Sequence, residues 1–547
     1  MIPHLSLTGR QWLLRRDEEF GSADDVVMRL ATERQLLDVI QRQQMKLSDP
    51  SLFTEMGRAV ERIDHAMAEN EVIAIFGDYD ADGITGTAQL VRFFRRRGID
   101  PVIYLPHRMR EGYGMKNHSI DALHEKDVTL IITVDTGIAS HEQIERAKSH
   151  GIDVIVTDHH HPSNGRPPAY AVIHPQVPDA FPNEHISGSG VAFMLLRALE
   201  KGQAWDGIAE DFVLATIGTV ADMVPLTGEN RTLVMYGLKC LQQLPPGPIK
   251  TFADSLRSKE ANLSSTDIAF RLVPRINASG RMDDPIIALN ALLEGGEAIA
   301  KLDELNTHRR SFTADLFDQA SATLDLSQPF IVLADEKYTA GIVGLIAGKL
   351  TEEYGRPSLV AAIVGDICTG SLRSIPQFNI MDALTHPTVK PLLLTFGGHA
   401  QAAGCTFALK DLDTLRAALN AVMIDAGFTS DTLIPVLEID APVTTDHLSH
   451  HFIKSLSNLE PYGQANAEPL FLLRNQTITG LRCIGTDGRH LQCRIGQTKA
   501  IAFNFGGHEP SLSSQPDQTY DIACRFTLNK WNGREDLQIV IEDIRHV

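Results

Sequence analysis

The residues of this chain best able to do chemistry are carboxylates and imidazoles in short, regular strings. In DYDADG, Asp78, Asp80 and Asp82 occupy alternate positions and Gly83 follows them. Three carboxylates at that spacing can chelate a hard cation through oxygen. The string also opens like an EF-hand loop, but such a loop follows a helix and ends on a bidentate Glu at its twelfth position. Here the β-rich run VIAIFG precedes it and the twelfth position is Gln89, so that alternative fails. Asp135 closes the apolar run of ITVDTG; alone it would more often be a helix N-cap than a ligand. TDHHHP is a stronger signal, with Asp158 leading His159, His160 and a third histidine into Pro162. Imidazole combined with carboxylate suits manganese or another first-row metal, and a neighbouring histidine or carboxylate can orient a ligating imidazole. Asp222 lies in the apolar segment IGTVADMVPL, where burying a carboxylate is costly unless it is paired or metal-bound.

The elements that must position these groups are legible around them. From about residue 71, apolar runs (VIAIFG, PVIYLP, LIITVD, DVIVTDHH, AYAVIHP) alternate with helix-like segments such as IASHEQIERAKSHG. Buried strands alternating with helices indicate a doubly wound parallel sheet. Each acidic or histidine string falls at the C-terminal end of such a strand, the edge where these sheets bind ligands. Residues 285–327 are helical and polar in pattern and suit a connecting helix. A second, smaller α/β unit begins at PFIVLAD and contains GIVGLIAGKL, SLVAAIVG and FGGHAQAAG. The last hundred or so residues hold closely spaced strands with turn signals, which suits a small antiparallel barrel.

At 547 residues the chain is too long for one core. Its apolar share, 43%, is ordinary for a globular protein, no run is long enough to cross a bilayer, and the start has no secretory h-region. The six cysteines form no C-x-x-C pair and read as reduced, packed thiols; a cytoplasmic chain is expected. A net charge of −19 argues against coating nucleic acid by overall charge, but it leaves room for a local basic groove.

DYDADG, VDTG, TDHH and GTVADMVPL together resemble the DHH phosphoesterases. HRMREGYG, SGSGVAF, PRINASGRMDDP, LNTHRR, GSLRSIPQFNIMDAL and FGGHAQAAG narrow the resemblance to that family's bacterial branch of single-stranded-DNA-specific exonucleases. The likeness runs in the family's order from about residue 45 to the end. It implies an N-terminal extension (1–44), a DHH catalytic domain (45–284), the connecting helix (285–327), a DHHA1 domain (328–428) and an oligonucleotide-binding (OB) barrel (429–547). It also implies two Mn2+ or Mg2+ ions bridged by a carboxylate and held by Asp80, Asp82, Asp135, His159 and Asp222; we take Asp135 as the bridge. Asp78, Asp158 and His160 fall to catalytic support, orienting ligands or touching phosphate. In such a site one ion activates water and the other stabilises the leaving oxygen, so no protein nucleophile is required.

For the substrate, the same motifs offer Arg108, Arg110, Arg275, Asn277, Arg281, Ser371, Arg373 and His399. Arginine suits phosphate because its planar fork bonds bidentately; any one of them alone would as readily be a surface ion pair. The resemblance implies that some grip a 5′ phosphate. Phe503, Phe505 and Trp531, with Phe526, could stack on bases without reading sequence, although most barrel aromatics are core. Two positions depart from the family's pattern: Tyr338 and Thr339 stand where a Trp-His pair is usual, and Ala465 where glycine is common.

The expected function is a 5′-to-3′ exonuclease on single-stranded DNA, releasing mononucleotides in recombination and repair. A helicase and a single-strand-binding protein are candidate partners, and no membrane is expected. Two rivals differ in what they need. A phosphoesterase for dinucleotides or pyrophosphate would have no use for the barrel, and an inactive DNA-binding scaffold should have lost carboxylates or histidines.

Overall fold

A computed structural model describes residues 5–18, 20–37, 47–162, 164–201, 205–256, 263–430, 432–485, 487–514, 518–531 and 534–547, without the side chains of residues 205, 206, 530, 531 and 534. The first strand, β1 (Gln11–Leu14), belongs with the far end of the chain and is taken up below. The next five are β2 (Val72–Gly77), β3 (Val102–Tyr104), β4 (Val128–Val134), β5 (Asp153–Thr157) and β6 (Ala171–Ile173). They form one parallel sheet in the order β3-β2-β4-β5-β6. The chain leaves β2 for one side of the sheet and returns to β4 on the other, so the crevice beyond β2 and β4 is the switch point at which such sheets bind ligands. The helices Ala81–Arg95, Gly188–Leu199 and Ala209–Ala221 pack together as the main cover of one face. Ala81–Arg95 is buried on nearly every side, its polar Thr85 and Gln89 hydrogen-bonded to Ser189.

The stretch read as one connecting helix forms two. Ile286–Leu293 buries Ala288, Leu289, Ala291 and Leu292 in the first core, and Glu297–Ser321 runs on from it, burying Ile299 and Leu302 in that core and Leu316 and Phe317 in a core shared with the second unit. Gly295 and Gly296 part them in left-handed conformations (φ 74° and 59°) that end the first helix.

The second unit is a mixed sheet of β7 (Ile331–Asp335), β8 (Ser358–Val364), β9 (Ile367–Arg373), β10 (Leu393–His399) and β11 (Ala402–Ala408), ordered β10-β11-β9-β8-β7. Only β7 and β8 pair in parallel.

After β12 (Val436–Ile439) comes the barrel: β13 (Ala441–Val443), β14 (Phe471–Ile484), β15 (His490–Ile495), β16 (Thr498–Ala502), β17 (Thr519–Trp531) and β18 (Arg534–His546). It closes through β14 and β17. Antiparallel pairing dominates, but β16 meets β18 and β13 meets β14 in parallel.

Of the N-terminal extension, β1 pairs in parallel with β12. The helix Ala23–Glu33 buries Val26, Val27, Leu30 and Ala31 in the same apolar core as the barrel's Phe452, Phe471 and Phe526. Four cysteines are buried, Cys240 is half-buried and Cys483 exposed, and none is in a disulfide. Among the described residues no helix is long and apolar enough to cross a membrane.

Candidate metal centre

Each ligand candidate is placed by a backbone device at the edge of the parallel sheet. Where β2 ends, Asp80 caps the helix Ala81–Arg95, its Oδ1 accepting from the N–H groups of Asp82 (3.0 Å) and Gly83 (3.2 Å). Asn277 Oδ1 accepts from Ala81 N–H at 2.9 Å and pins the same turn from outside. The Asp82 carboxylate enters the N-terminus of the helix Gly188–Leu199 and accepts from Gly188 N–H (2.7 Å) and Ser189 N–H (2.9 Å), where the helix dipole favours negative charge. Asp135, just past β4, is left-handed at φ 60°. A Cβ at Gly188 would lie 2.4 Å from Asp135 Oδ1, so only glycine lets this helix approach so closely. Asp222 caps the C-terminus of Ala209–Ala221.

These devices bring the side chains together. His159 Nε2 lies 3.2 Å from Asp135 Oδ1, 3.6 Å from Asp222 Oδ2 and 4.0 Å from Asp82 Oδ2. Ligand atoms of Asp78, Asp80 and Asp135 form a second cluster, and those of Asp135, His159 and His160 a third, each within 4.8 Å. Asp135 is thus shared between the two sides of the site. Asp158 stands behind it, accepting from Ile138 N–H (2.9 Å), His159 N–H (2.7 Å) and His160 Nδ1 (2.8 Å). Two partners carry no acidic or histidine string to betray them. The Tyr113 hydroxyl, from HRMREGYG, donates to the Asp135 carbonyl (3.3 Å) and lies 3.0 Å from His160 Nδ1. His174 Nε2, just after β6, donates to the His160 carbonyl at 2.8 Å.

The electrostatics ask for a cation. Burial, then repulsion from neighbouring aspartates, raises the Asp78, Asp135 and Asp222 carboxyls well above their ordinary range and Asp82 to about 7. Burial also pushes His159 down to about 4, leaving a neutral imidazole with a lone pair to offer. His160 goes the other way, to about 9: burial would lower it, but its bond to Asp158 and that carboxylate's charge prevail. Asp135 Oδ1, Asp78 Oδ1 and His159 Nε2 are buried without a hydrogen-bond partner. Unpartnered buried acceptors are costly, and divalent ions in the clusters that share Asp135 would satisfy them. The donor set, carboxylate oxygen with one imidazole nitrogen, fits Mn2+ and admits Mg2+.

Beside the carboxylates lies a cationic group. Burial and then the charges of Arg108, Arg309 and Arg373 push Arg281 down to about 9, the signature of guanidiniums gathered without enough anions. Arg281 Nη1 donates to the Gly341 carbonyl at 3.0 Å, Arg373 Nη1 to Ser371 Oγ at 2.9 Å, and Arg108 lies 5.0 Å above the Tyr79 ring. Arg309, from LNTHRR, completes the group. The LNTHRR motif carries it in the sequence, without marking it as a substrate contact.

Other substrate candidates sit elsewhere. Arg275 is only 3% exposed; it pairs with Asp303 (2.6 Å), donates to Ser255 Oγ (2.7 Å) and covers the Phe252 ring. It is therefore a packing residue, not a phosphate contact. Asn277 holds the DYDADG turn, Arg110 is exposed, and His399 is exposed at the end of β10. Phe505 and Phe526 belong to the barrel core, at 5% and 6% exposure, and are corrected from stacking candidates to core. Phe503 is 53% exposed and meets His490 edge-on at 5.3 Å. The Trp531 side chain lies outside the described residues. The Thr339 carbonyl accepts from Ile342 and Val343 N–H, and Ala465 is left-handed at φ 59°, which accounts for glycine being common there.

A metal-binding edge on a doubly wound sheet, a second α/β unit and a closed barrel are the parts of a DHH phosphoesterase. Residues 72–219 match the DHH family N-terminal domain, residues 327–425 the DHHA1 domain and residues 439–543 the RecJ OB domain. The single-stranded-DNA-specific exonuclease RecJ of Dickeya dadantii is 33% identical over 544 residues, covering 92% of this chain and 93% of that protein. RecJ of Bacillus subtilis is 34% identical over 510 residues, covering 90% of this chain, which spans 64% of that protein's length. The crystal structure of RecJ in complex with Mn2+ from Thermus thermophilus superposes with a TM-score of 0.81 at 28% identity, covering 98% of this chain and 79% of that one. The chain belongs to the RecJ family of exonucleases.

Proposed function

We propose that this protein is a cytoplasmic enzyme that hydrolyses single-stranded DNA from its 5′ end, releasing mononucleotides in recombination and repair. The observation that carries this reading is the juxtaposition of two opposite fields: a cluster of unsatisfied carboxylates with a neutral imidazole, and beside it a cluster of arginines. A phosphodiester spanning the two would place its scissile phosphate at the first and a terminal phosphate at the second.

Asp80, Asp82, Asp135, His159 and Asp222 would hold two divalent ions, with Asp135 in the shared position. Such ions, when bound, supply Lewis-acid activation of water and neutralise charge on the departing oxygen. The chain's own residues do the rest. Asp158 and Tyr113 fix the ring of His160, which as an imidazolium can donate to a phosphate oxygen. Asp78 adds charge behind the DYDADG turn, and Asn277 keeps that turn in register. Arg281, Arg108, Arg309 and Arg373, with Ser371, would grip the terminal phosphate and so set the digested end.

A cleft of about 660 Å³ runs from Asn277, Arg281 and Arg309 to Tyr462 and Arg525 of the barrel side, with the exposed Phe270 and Met223 on its walls. Apolar side chains there suit unstacked bases and would route a single strand toward the metals.

The test is digestion of end-labelled single- and double-stranded DNA with Mn2+, Mg2+ or chelator, comparing 5′-phosphate with 5′-hydroxyl ends. We expect metal-dependent release of mononucleotides from the 5′ end of single strands and faster turnover of phosphorylated ends. Release from the 3′ end, or a strong preference for a dinucleotide over a long strand, would refute the assignment.

A further inference from the structure

The loop around PYGQANAEP, residues 458–468, is held from two sides by parts of the chain far apart in sequence. On the catalytic side, Leu226 N–H donates to the Gln464 carbonyl (2.8 Å) and Ser265 Oγ to the Tyr462 carbonyl (2.7 Å). Arg231, fully buried, donates to the carbonyls of Leu459 (2.9 Å), Asn458 and Glu460. A Cβ at Gly463 would lie 2.6 Å from Leu226 Cδ1, so the two surfaces meet without a gap. On the other side stands Arg34, the C-cap of the helix Ala23–Glu33 in the N-terminal extension. Its Nη1 donates to Asn466 Oδ1 (3.0 Å) and the Ala467 carbonyl, and its Nη2 to Asp440 Oδ1 (3.2 Å). Asn466, buried, passes the hold on by donating from Nδ2 to the carbonyls of Leu459 (2.8 Å) and Pro461 (2.9 Å). The same loop supplies Tyr462, Gly463, Gln464, Ala467 and Glu468 to the wall of the 660 Å³ cleft.

We infer that the N-terminal extension braces the cleft: Arg34 is a positioning residue that locks this loop in the shape the catalytic domain docks against. A half-buried guanidinium held between one carboxylate and two loop acceptors holds geometry better than a flexible ammonium could. Bonds from charged donors to buried acceptors are also among the more valuable in a fold. The extension's helix is already fastened by its apolar face in the barrel core, so Arg34 transmits a fixed position to the loop. Without it, the docking bonds of Leu226 and Arg231 would meet a loop free to shift.

The experiment uses the full chain with Arg34→Ala and, because the alanine variant could fail to fold, Arg34→Lys, which keeps the charge opposite Asp440 and loses the fork. Hydrogen exchange, read at Leu226 N–H and at 463–466, reports the joint from its catalytic side. Loss of the Arg34 bonds should speed exchange there about tenfold in the alanine variant, less in the lysine variant, with β2, β4 and the barrel strands unchanged. Unchanged exchange at Leu226 overturns the inference; so does a general rise across β14–β18, which would make Arg34 an ordinary stabiliser of the barrel. The kinetic arm rests on the function proposed above: KM for a long single strand should rise about tenfold in Arg34→Ala, with kcat and dinucleotide hydrolysis unchanged. Equal losses on both substrates would count against the brace. If the wild type itself prefers the dinucleotide, the function reading fails, and the exchange result still decides the brace.

Discussion

Gly188→Ala tests the metal centre without removing any of its ligands. The added Cβ would lie 2.4 Å from Asp135 Oδ1 and 2.5 Å from Asp135 Cβ, while ordinary contact begins at 3.4 Å, leaving about 1 Å to be found. Asp135 has little room to give, being held in a left-handed conformation between β4 and a glycine turn. The helix has little more, because its Gly188 and Ser189 N–H groups bind Asp82. Whichever moves, a candidate ligand is displaced by several times the roughly 0.2 Å that metal–ligand distances tolerate. Loss of an orienting contact typically costs about 10- to 100-fold in metal affinity, or ~1.4 to 2.8 kcal/mol. Overpacking alone costs ~1 to 3 kcal/mol of stability. We therefore expect Mn2+ affinity, measured by calorimetry, to fall about 10- to 100-fold, and the metal-free melting temperature to fall too. Mn2+ affinity within twofold of wild type, in a variant whose melting temperature has dropped, would show that the helix yields and Asp135 does not depend on Gly188.

Arg281→Ala should raise KM for 5′-phosphorylated strands and erase the advantage of a 5′ phosphate over a 5′ hydroxyl, whereas Arg275→Ala should lower the melting temperature and leave that advantage intact; reversed outcomes would exchange the two roles. The metal-free protein should lose stability as pH rises. Folded Asp82 keeps its proton to about 7 while the unfolded chain releases it near 3.8, so its contribution is full below the lower value and gone above the upper. Asp78, Asp135 and Asp222 shift the same way, as does His160, raised to about 9, while the lowered His159 and His174 oppose them as two groups against five. In chelator the melting temperature should decline from about pH 5 to about pH 7.5, and Mn2+ should reverse the trend; a rise in chelator would contradict the carboxylate shifts. Ala465→Gly should stabilise the chain by up to about 1 kcal/mol in denaturant unfolding, since φ 59° strains an alanine by more than the entropy a glycine adds.

The metal centre was legible because its signals are local. A strand end, an acidic string and a histidine pair are contiguous in sequence, and the sheet topology does the assembling. The arginines were not, although they share motifs. Arg275 and Arg281 lie six residues apart on the helix Val273–Met282, about 240° around its axis. One is buried against Phe252 and Asp303 and the other faces Gly341 at the site; which face is which depends on neighbours remote in sequence. Phe503 and Phe505 show the same limit in a strand. Alternation would put both on one face, but β16 ends at Ala502, and the left-handed Asn504 (φ 63°) turns Phe505 into the core while Phe503 stays outside. The contribution of residues 5–37 to the barrel was likewise invisible, because it depends on pairing between β1 and β12 across more than four hundred positions.

The centre also explains why its motifs are so easy to find. A left-handed aspartate, mutually repelling buried carboxylates, an imidazole held neutral and acceptors left without donors are each unfavourable for folding alone. The surrounding elements offset part of this: Asp82 receives two backbone N–H groups and Asp158 four donors. Asp135 Oδ1 and His159 Nε2 receive none, and they are the atoms that face each other at 3.2 Å. A fold that satisfies Asp80, Asp82 and Asp158 but leaves Asp135 Oδ1, His159 Nε2 and Asp78 Oδ1 open has confined its remaining electrostatic cost to the one edge where these atoms meet. A divalent ion there relieves several of these costs at once, so metal binding and the stability of this edge of the sheet should rise and fall together.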